Sequence, residues 1–170
     1  MLFPLIPVMI TDSVTDLTPE FLLQQGIRLL MLDFDNTIVP YTTNVPTEEM
    51  AQWLERMLSS DVKICVVSNS RKERVKIFCK KQGIPCIPNS RKPFPKGIRR
   101  CLEMFDLQPG ECALAGDQIF TDTLGANCAG VRSILTKAID NHNIWLKARH
   151  VVEKPFIYLA RNRRIQNDQY

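Results

Sequence analysis

Leu29-Leu30-Met31-Leu32 is an unbroken apolar run that leads straight into Asp33-Phe34-Asp35-Asn36-Thr37. Such a run reads as a strand inside a parallel sheet, where both faces are covered. Residues i and i+2 of a strand point to the same side. At the carboxyl end of a buried parallel strand, Asp33 and Asp35 are therefore expected to project together into the crevice where open α/β sheets bind ligands. Two like charges at that spacing repel, and one pKa rises, unless a cation lies between them. Mg²⁺ takes hard oxygen ligands and is usually held by one or two carboxylates together with phosphate oxygens and water. An Asp carboxylate can also carry a phosphoryl group itself. The competing reading is a plain turn, because Asp and Asn favour such positions.

Three further segments repeat the pattern of an apolar run ending in polar residues. Val62 to Val67 runs into Ser68-Asn69-Ser70, whose hydroxyl and amide suit a phosphate oxygen. Ser70 and Glu73 also form a Ser-x-x-Glu capping box, which would open a helix from Arg71 to Gln82. Ser90-Arg91-Lys92-Pro93-Phe94-Pro95-Lys96 is a stiff basic loop in which Lys92 is a point charge suited to a phosphoryl group, or else a solvated lysine. Glu111 to Asp117 is a strand ending in an acid, and its Gly116 permits close backbone approach. Asp117 can complete a metal site with Asp33, and Asp122 can support it from behind. Helix capping by Thr121 or Asp122 is the alternative.

Five strands are expected: Leu29 to Phe34, Lys63 to Val67, Pro85 to Pro88, Cys112 to Ala115 and Val131 to Leu135. Helical patterns alternate with them at Thr47 to Ser59, Arg71 to Gln82, Phe94 to Phe105 and Thr121 to Ala129. Gly83 and Gly130 stand where helix stops belong. This alternation implies an α/β fold, a doubly wound Rossmann-like parallel sheet. Residues 36–67 supply 32 positions between Asp35 and Ser68, and one helix with its turns uses nearly all of them. The later intervals are equally short, so no cap domain fits. The crevice should then be open, which favours a bulky or surface-presented substrate, unless a second copy in a homo-oligomer supplies a lid.

The 170 residues are read as one domain, with a core at about 11–135 and a helical basic and aromatic tail at 141–170. Cys65, Cys79, Cys86, Cys101, Cys112 and Cys128 are scattered singly, as small buried apolar residues of a reducing compartment are. No apolar run approaches the ~20 residues of a membrane span, and the proline-broken start lacks a charged leader, so the expected location is cytoplasmic. The net charge of +4 suits anionic partners. In the tail, Trp145, Phe156 and Tyr158 stand among Lys147, Arg149, Lys154, Arg161, Arg163 and Arg164. That composition suits either a segment peripheral at an anionic inner membrane surface or a helix packed on the sheet. His142 and His150 belong to no motif.

In order, Asp33-x-Asp35-Asn36-Thr37, Ser68-Asn69, Lys92-Pro93 and Gly116-Asp117-x-x-x-x-Asp122 resemble the four motifs of haloacid-dehalogenase-type phosphatases. More narrowly, with Ser13 to Glu20 and Gly26-Ile27 ahead of the first strand, the chain resembles the YqeG family of subclass IIIA, over about Thr11 to Leu135. That family also includes phosphatidylglycerophosphate phosphatases. The resemblance implies strand order 5-4-1-2-3, with Asp33 and Asp117 side by side. It implies Asp33 as the nucleophile that forms an aspartyl-phosphate, and Asp35 as the acid/base. Ser68, Asn69 and Lys92 would hold the phosphoryl group. Mg²⁺ would sit on the Asp33 side chain, the Asp35 carbonyl and the Asp117 side chain, with Asp122 behind. The implied activity is Mg²⁺-dependent phosphomonoester hydrolysis, with phosphatidylglycerophosphate as substrate. Two alternatives stand beside it. One is a soluble phosphatase for nucleotides, sugar phosphates or nucleic-acid ends, although only Phe94 and Phe120 lie near the motif loops to stack a base. The other is a non-catalytic module that binds a protein, against which all four motifs are intact.

Overall fold

The computed structural model describes residues 4–71, 73–140 and 155–160. Six strands run through it: β1 (Met9–Thr11), β2 (Leu29–Leu32), β3 (Lys63–Val67), β4 (Cys86–Ile87), β5 (Cys112–Gly116) and β6 (Arg132–Thr136). Five α-helices accompany them: α1 (Pro19–Gln24), α2 (Glu48–Leu58), α3 (Glu73–Gln82), α4 (Lys96–Phe105) and α5 (Leu124–Ala129). All strands are parallel, and the sheet order is β1-β6-β5-β2-β3-β4. The five expected strands stand in the expected order, and β1 adds a sixth at the edge beside β6.

The unbroken apolar sequence of β2 has a direct cause in this layering. Leu30 and Leu32 face α2 and α3, packing with Met50, Trp53, Val75 and Phe78. Leu29 and Met31 face the other way, packing with Ile98 and Cys101 of α4 and Ala126 and Ala129 of α5. Each face is thus dry, and burying one such aliphatic side chain contributes ~1.5–3 kcal/mol. Cys65, Cys79, Cys101 and Cys112 fill these layers as free, buried thiols, as their single spacing suggests.

Element ends differ from expectation where local chemistry intervenes. β2 stops at Leu32 rather than Phe34, because Asn36 adopts φ 63° and turns the chain back on itself. β4 shrinks to two residues between Pro85 and Pro88, neither of which can donate to a ladder. Thr47 accepts a hydrogen bond from Met50 N and caps α2. α3 begins at Glu73 instead of Arg71, and residue 72 lies outside the described residues. α4 begins at Lys96, beyond the two prolines of the basic loop. The segment expected as one helix from Thr121 is a π-helical turn, Ile119–Thr123, followed by α5. β1 and α1 were not expected. β1 is three half-buried residues whose partner, β6, is more than a hundred residues away, so no local pattern marks it.

Between β2 and β3 the chain holds one loop and α2, and between β3 and β4 it holds α3 alone. No cap covers the carboxyl edge of the sheet among the described residues. The tail expected at 141–170, with its histidines and Trp145, lies outside them except for 155–160. That stretch is helical and sets Phe156 edge-on to Phe120, with ring centroids 6.2 Å apart.

Trp53 locks α2 to the segment between β1 and α1. Its buried indole Nε1 donates to Leu17 O at 2.8 Å. Trp53→Phe should keep most of the packing but orphan that carbonyl, costing about 1–2 kcal/mol. Trp53→Ala should cost about 3–5 kcal/mol. Urea unfolding curves measure both, and a Trp53→Phe variant as stable as wild type would show that the hydrogen bond contributes nothing.

Candidate active site

Every motif residue lies at or just beyond the carboxyl end of a strand. Asp33 follows β2, Ser68 follows β3, Lys92 follows β4 and Asp117 follows β5. Because β2 runs between β3 and β5, Asp33 takes the central position. Its backbone N–H donates to Ala115 O at 2.9 Å, continuing the β2–β5 ladder one residue past the strand. Ser68 is buried, donates its N–H to Ile87 O at 3.1 Å, and accepts from Ser70 N on its hydroxyl at 3.1 Å.

Lys92 is not a solvated lysine. Its ammonium is buried and lies 2.7 Å from Asp33 Oδ1 and 2.7 Å from Asp122 Oδ1. Asn69 holds the loop that delivers it. The Asn69 carbonyl oxygen accepts from Lys92 N at 2.6 Å and from Ser90 Oγ at 2.8 Å, and its amide nitrogen donates to Lys92 O at 2.8 Å. Asn69 was expected to face the phosphoryl group. Here it positions the lysine, because an amide offers donor and acceptor on one planar group.

Asp122 comes in from the π-helical turn, where its Oδ2 accepts from Gln118 N at 3.1 Å. It lies so close to Gly116 that a Cβ there would be 2.4 Å from the carboxyl carbon, so only glycine fits. Asp33, Asp117 and Asp122 each bring a carboxylate oxygen into one group spanning no more than 4.8 Å, and all three are buried. The buried Lys92 ammonium pairs with two of these carboxylates, Asp33 and Asp122. Burial pushes the Asp33 carboxyl up to about 6, with Lys92 opposing that rise and Asp122 adding to it. Burial works against the Lys92 charge, but Asp122 and Asp33 outweigh it, so its pKa is raised and it stays protonated. A buried cluster of three carboxylates offers hard oxygens that fit a divalent cation.

Asp35 does not share these partners. β2 has ended, and the Asp35 carboxylate lies 3.0 Å from Nη2 of Arg74, in the first turn of α3. The two carboxylates expected to face one another thus each take a cation of their own. Arg74 was legible only as one charge in a basic helix, and nothing in its local sequence marks it as the partner of Asp35.

A family model described as mitochondrial PGP phosphatase matches residues 4–140, the stretch that carries the whole sheet and all four motifs. The chain belongs to this PGP phosphatase family. A Bacillus subtilis (strain 168) member described as "Probable phosphatase YqeG" is 34% identical over 130 residues, which is 76% of each chain. Among solved structures, an uncharacterised protein from Listeria monocytogenes serotype 4b superposes with a TM-score of 0.55 at 19% identity, over 69% of this chain and 84% of that one. The cobalt-bound deoxy-D-mannose-octulosonate 8-phosphate phosphatase of Haemophilus influenzae superposes with a TM-score of 0.53 at 10% identity, over 74% and 75%. These two structures share the fold. The PGP phosphatase family assignment and the four strand-end motifs make this chain an enzyme, a haloacid-dehalogenase-type phosphatase acting on a phosphorylated substrate.

Protons and cations should compete for Asp33. Mn²⁺ titrated into the metal-free protein should bind tightest above pH 6, where Asp33 is ionised, and weaken about tenfold per pH unit below it. Asp33→Asn should bind weakly throughout and lose that step. A wild-type affinity flat across pH 5 to 7.5, as read by calorimetry, would remove Asp33 from the ligand set. Gly116→Ala should drive Asp122 off Lys92 and lower turnover by about a hundredfold while the fold persists, as far-ultraviolet circular dichroism can check.

Proposed function

We propose that this phosphatase removes the phosphomonoester group of phosphatidylglycerophosphate, using Mg²⁺ and a covalent aspartyl-phosphate on Asp33. The observation that carries the chemistry is the buried Asp33 held against Lys92, beside Asp117 and Asp122. A carboxylate fixed by a cation in a dry cleft is preorganised to meet a phosphorus centre.

In the first half-reaction an Asp33 oxygen attacks phosphorus and the bond from phosphorus to the ester oxygen breaks. Asp35 gives its proton to the departing alkoxide. In the second, Asp35 takes a proton from water as that water attacks phosphorus, releasing phosphate and restoring Asp33. Lys92 and the Ser68 hydroxyl hold the phosphoryl oxygens, and Asn69 holds Lys92. The Asp33 and Asp117 side chains and the Asp35 carbonyl would hold Mg²⁺, which when bound would supply charge neutralisation for the phosphate oxygens.

The lipid reading rests on the family and on the uncovered edge. Tyr41, Val45 and Phe94 lie on the loops of that edge and are exposed, Val45 by 71% and Phe94 by 69%. Apolar side chains beside an open crevice suit a head group approached at a membrane surface. No helix among the described residues is long and apolar enough to cross a membrane. The proposed contact is peripheral, at the inner membrane surface. Within 155–160, Tyr158 and Leu159 are also exposed.

Phosphate release from phosphatidylglycerophosphate in mixed micelles, beside a panel of soluble phosphate esters, tests this reading. Wild type with Mg²⁺ should prefer the lipid, and Asp33→Asn should lose activity by several orders of magnitude while remaining folded. Preference for a soluble ester would overturn the lipid assignment alone. Wild-type rates in Asp33→Asn would overturn the nucleophile.

A further inference from the structure

Arg74 makes more contacts at this edge than its place in a basic helix suggests. Its Nη2 is 3.0 Å from Asp35 Oδ1 and also donates to Pro40 O at 3.3 Å and Thr43 O at 3.2 Å. Its Nη1 donates to Tyr41 O at 2.9 Å. The guanidinium carbon sits 5.2 Å from the centre of the Phe34 ring, which is itself braced edge-on by Phe78 at 5.3 Å. The side chain is only 13% exposed. One guanidinium thus ties together the residue between the two aspartates, the second aspartate, and three consecutive-loop carbonyls that follow it.

An ion pair placed for stability alone needs none of this. A fork of rigid donors, stacked on an aromatic ring, fixes direction as well as distance, which an ammonium cannot do. The fixed object here is Asp35 together with the 40–43 loop, whose exposed Tyr41 borders the uncapped edge.

We propose that Arg74 is a positioning residue for leaving-group protonation. It holds the Asp35 carboxyl and the 40–43 loop as one unit, so that Asp35 is aimed at the ester oxygen. This rests on the reading of Asp35 as the acid/base. Arg74 forms no bond to the phosphoryl group and takes up no proton; it acts only through Asp35.

The test compares leaving groups. p-Nitrophenyl phosphate releases a stable anion that hardly needs a proton, whereas an alkyl phosphate releases an alkoxide that does. In the full-length protein with Mg²⁺, Arg74→Ala should lower kcat for the best alkyl phosphate of the panel about a hundredfold. The loss on p-nitrophenyl phosphate should stay below about tenfold. Arg74→Lys keeps the charge but not the fork, and should fall between wild type and Arg74→Ala with the same bias. It serves as the reporter if the alanine variant unfolds. In the Asp35→Asn background, Arg74→Ala should add little, because both act on one step.

Equal losses on both esters, with effects that add in the double variant, would overturn the proposal and leave Arg74 a structural clamp. Undiminished alkyl turnover in folded Arg74→Ala would overturn it as well. Asp35→Asn is the internal control. If it shows no leaving-group bias, the acid role itself fails, and the positioning proposal falls with it.

Discussion

The ammonium of Lys92, buried between Asp33 and Asp122 at 2.7 Å from each, is the constraint around which the rest of the structure is arranged. A lysine cannot be buried without paired charges, since desolvation would discharge it or expel it. The surroundings satisfy that demand from several elements. Asn69 grips the backbone on both sides of the Lys92 peptide. Gly97 at the start of α4 lets Ser90 pack where a Cβ would stand only 2.6 Å away. Gly116 makes room for Asp122. These contacts link β3, the loop after β4, α4, β5 and the π-helical turn into one rigid frame behind Asp33.

The frame divides the acidic residues into two groups with different electrostatics. Asp33, Asp117 and Asp122 crowd together; burial there lifts the Asp33 pKa, and three hard carboxylates in one place suit a divalent ion. Asp35, two residues beyond Asp33, is removed from that crowd by the end of β2 and handed to Arg74. In the proposed mechanism this separation lets one carboxylate serve as ligand and nucleophile while the other transfers protons. Neither then has to be ionised and protonated in the same environment.

The uncovered carboxyl edge complements this division. Enzymes with a lid exclude water by closure. Here the reacting groups are dry because they sit deep at the strand ends, with Asp33, Lys92, Asp117 and Asp122 all nearly inaccessible, while the loops above them carry exposed Tyr41, Val45 and Phe94. Burial at the base and exposure at the rim suit a substrate whose phosphate enters and whose bulk stays outside.

Much of this was determined by the sequence itself. Unbroken apolar runs ending in Asp33, Ser68 and Asp117 dictated buried parallel strands, because strand periodicity and two-sided burial are local properties. The short intervals excluded a cap, because chain length limits what can be inserted. Tertiary structure alone decided what required residues far apart to meet. β1 exists only by pairing with β6, the role of Asn69 depends on the Lys92 backbone 23 residues later, and Arg74 finds Asp35 only when α3 packs beside Phe34. The ion pair of Asp35 with Arg74 was not legible in the strand pattern for the same reason. Two-residue periodicity holds while a ladder partner enforces it, and beyond Leu32 the turn at Asn36 and the pull of Arg74 set the direction instead.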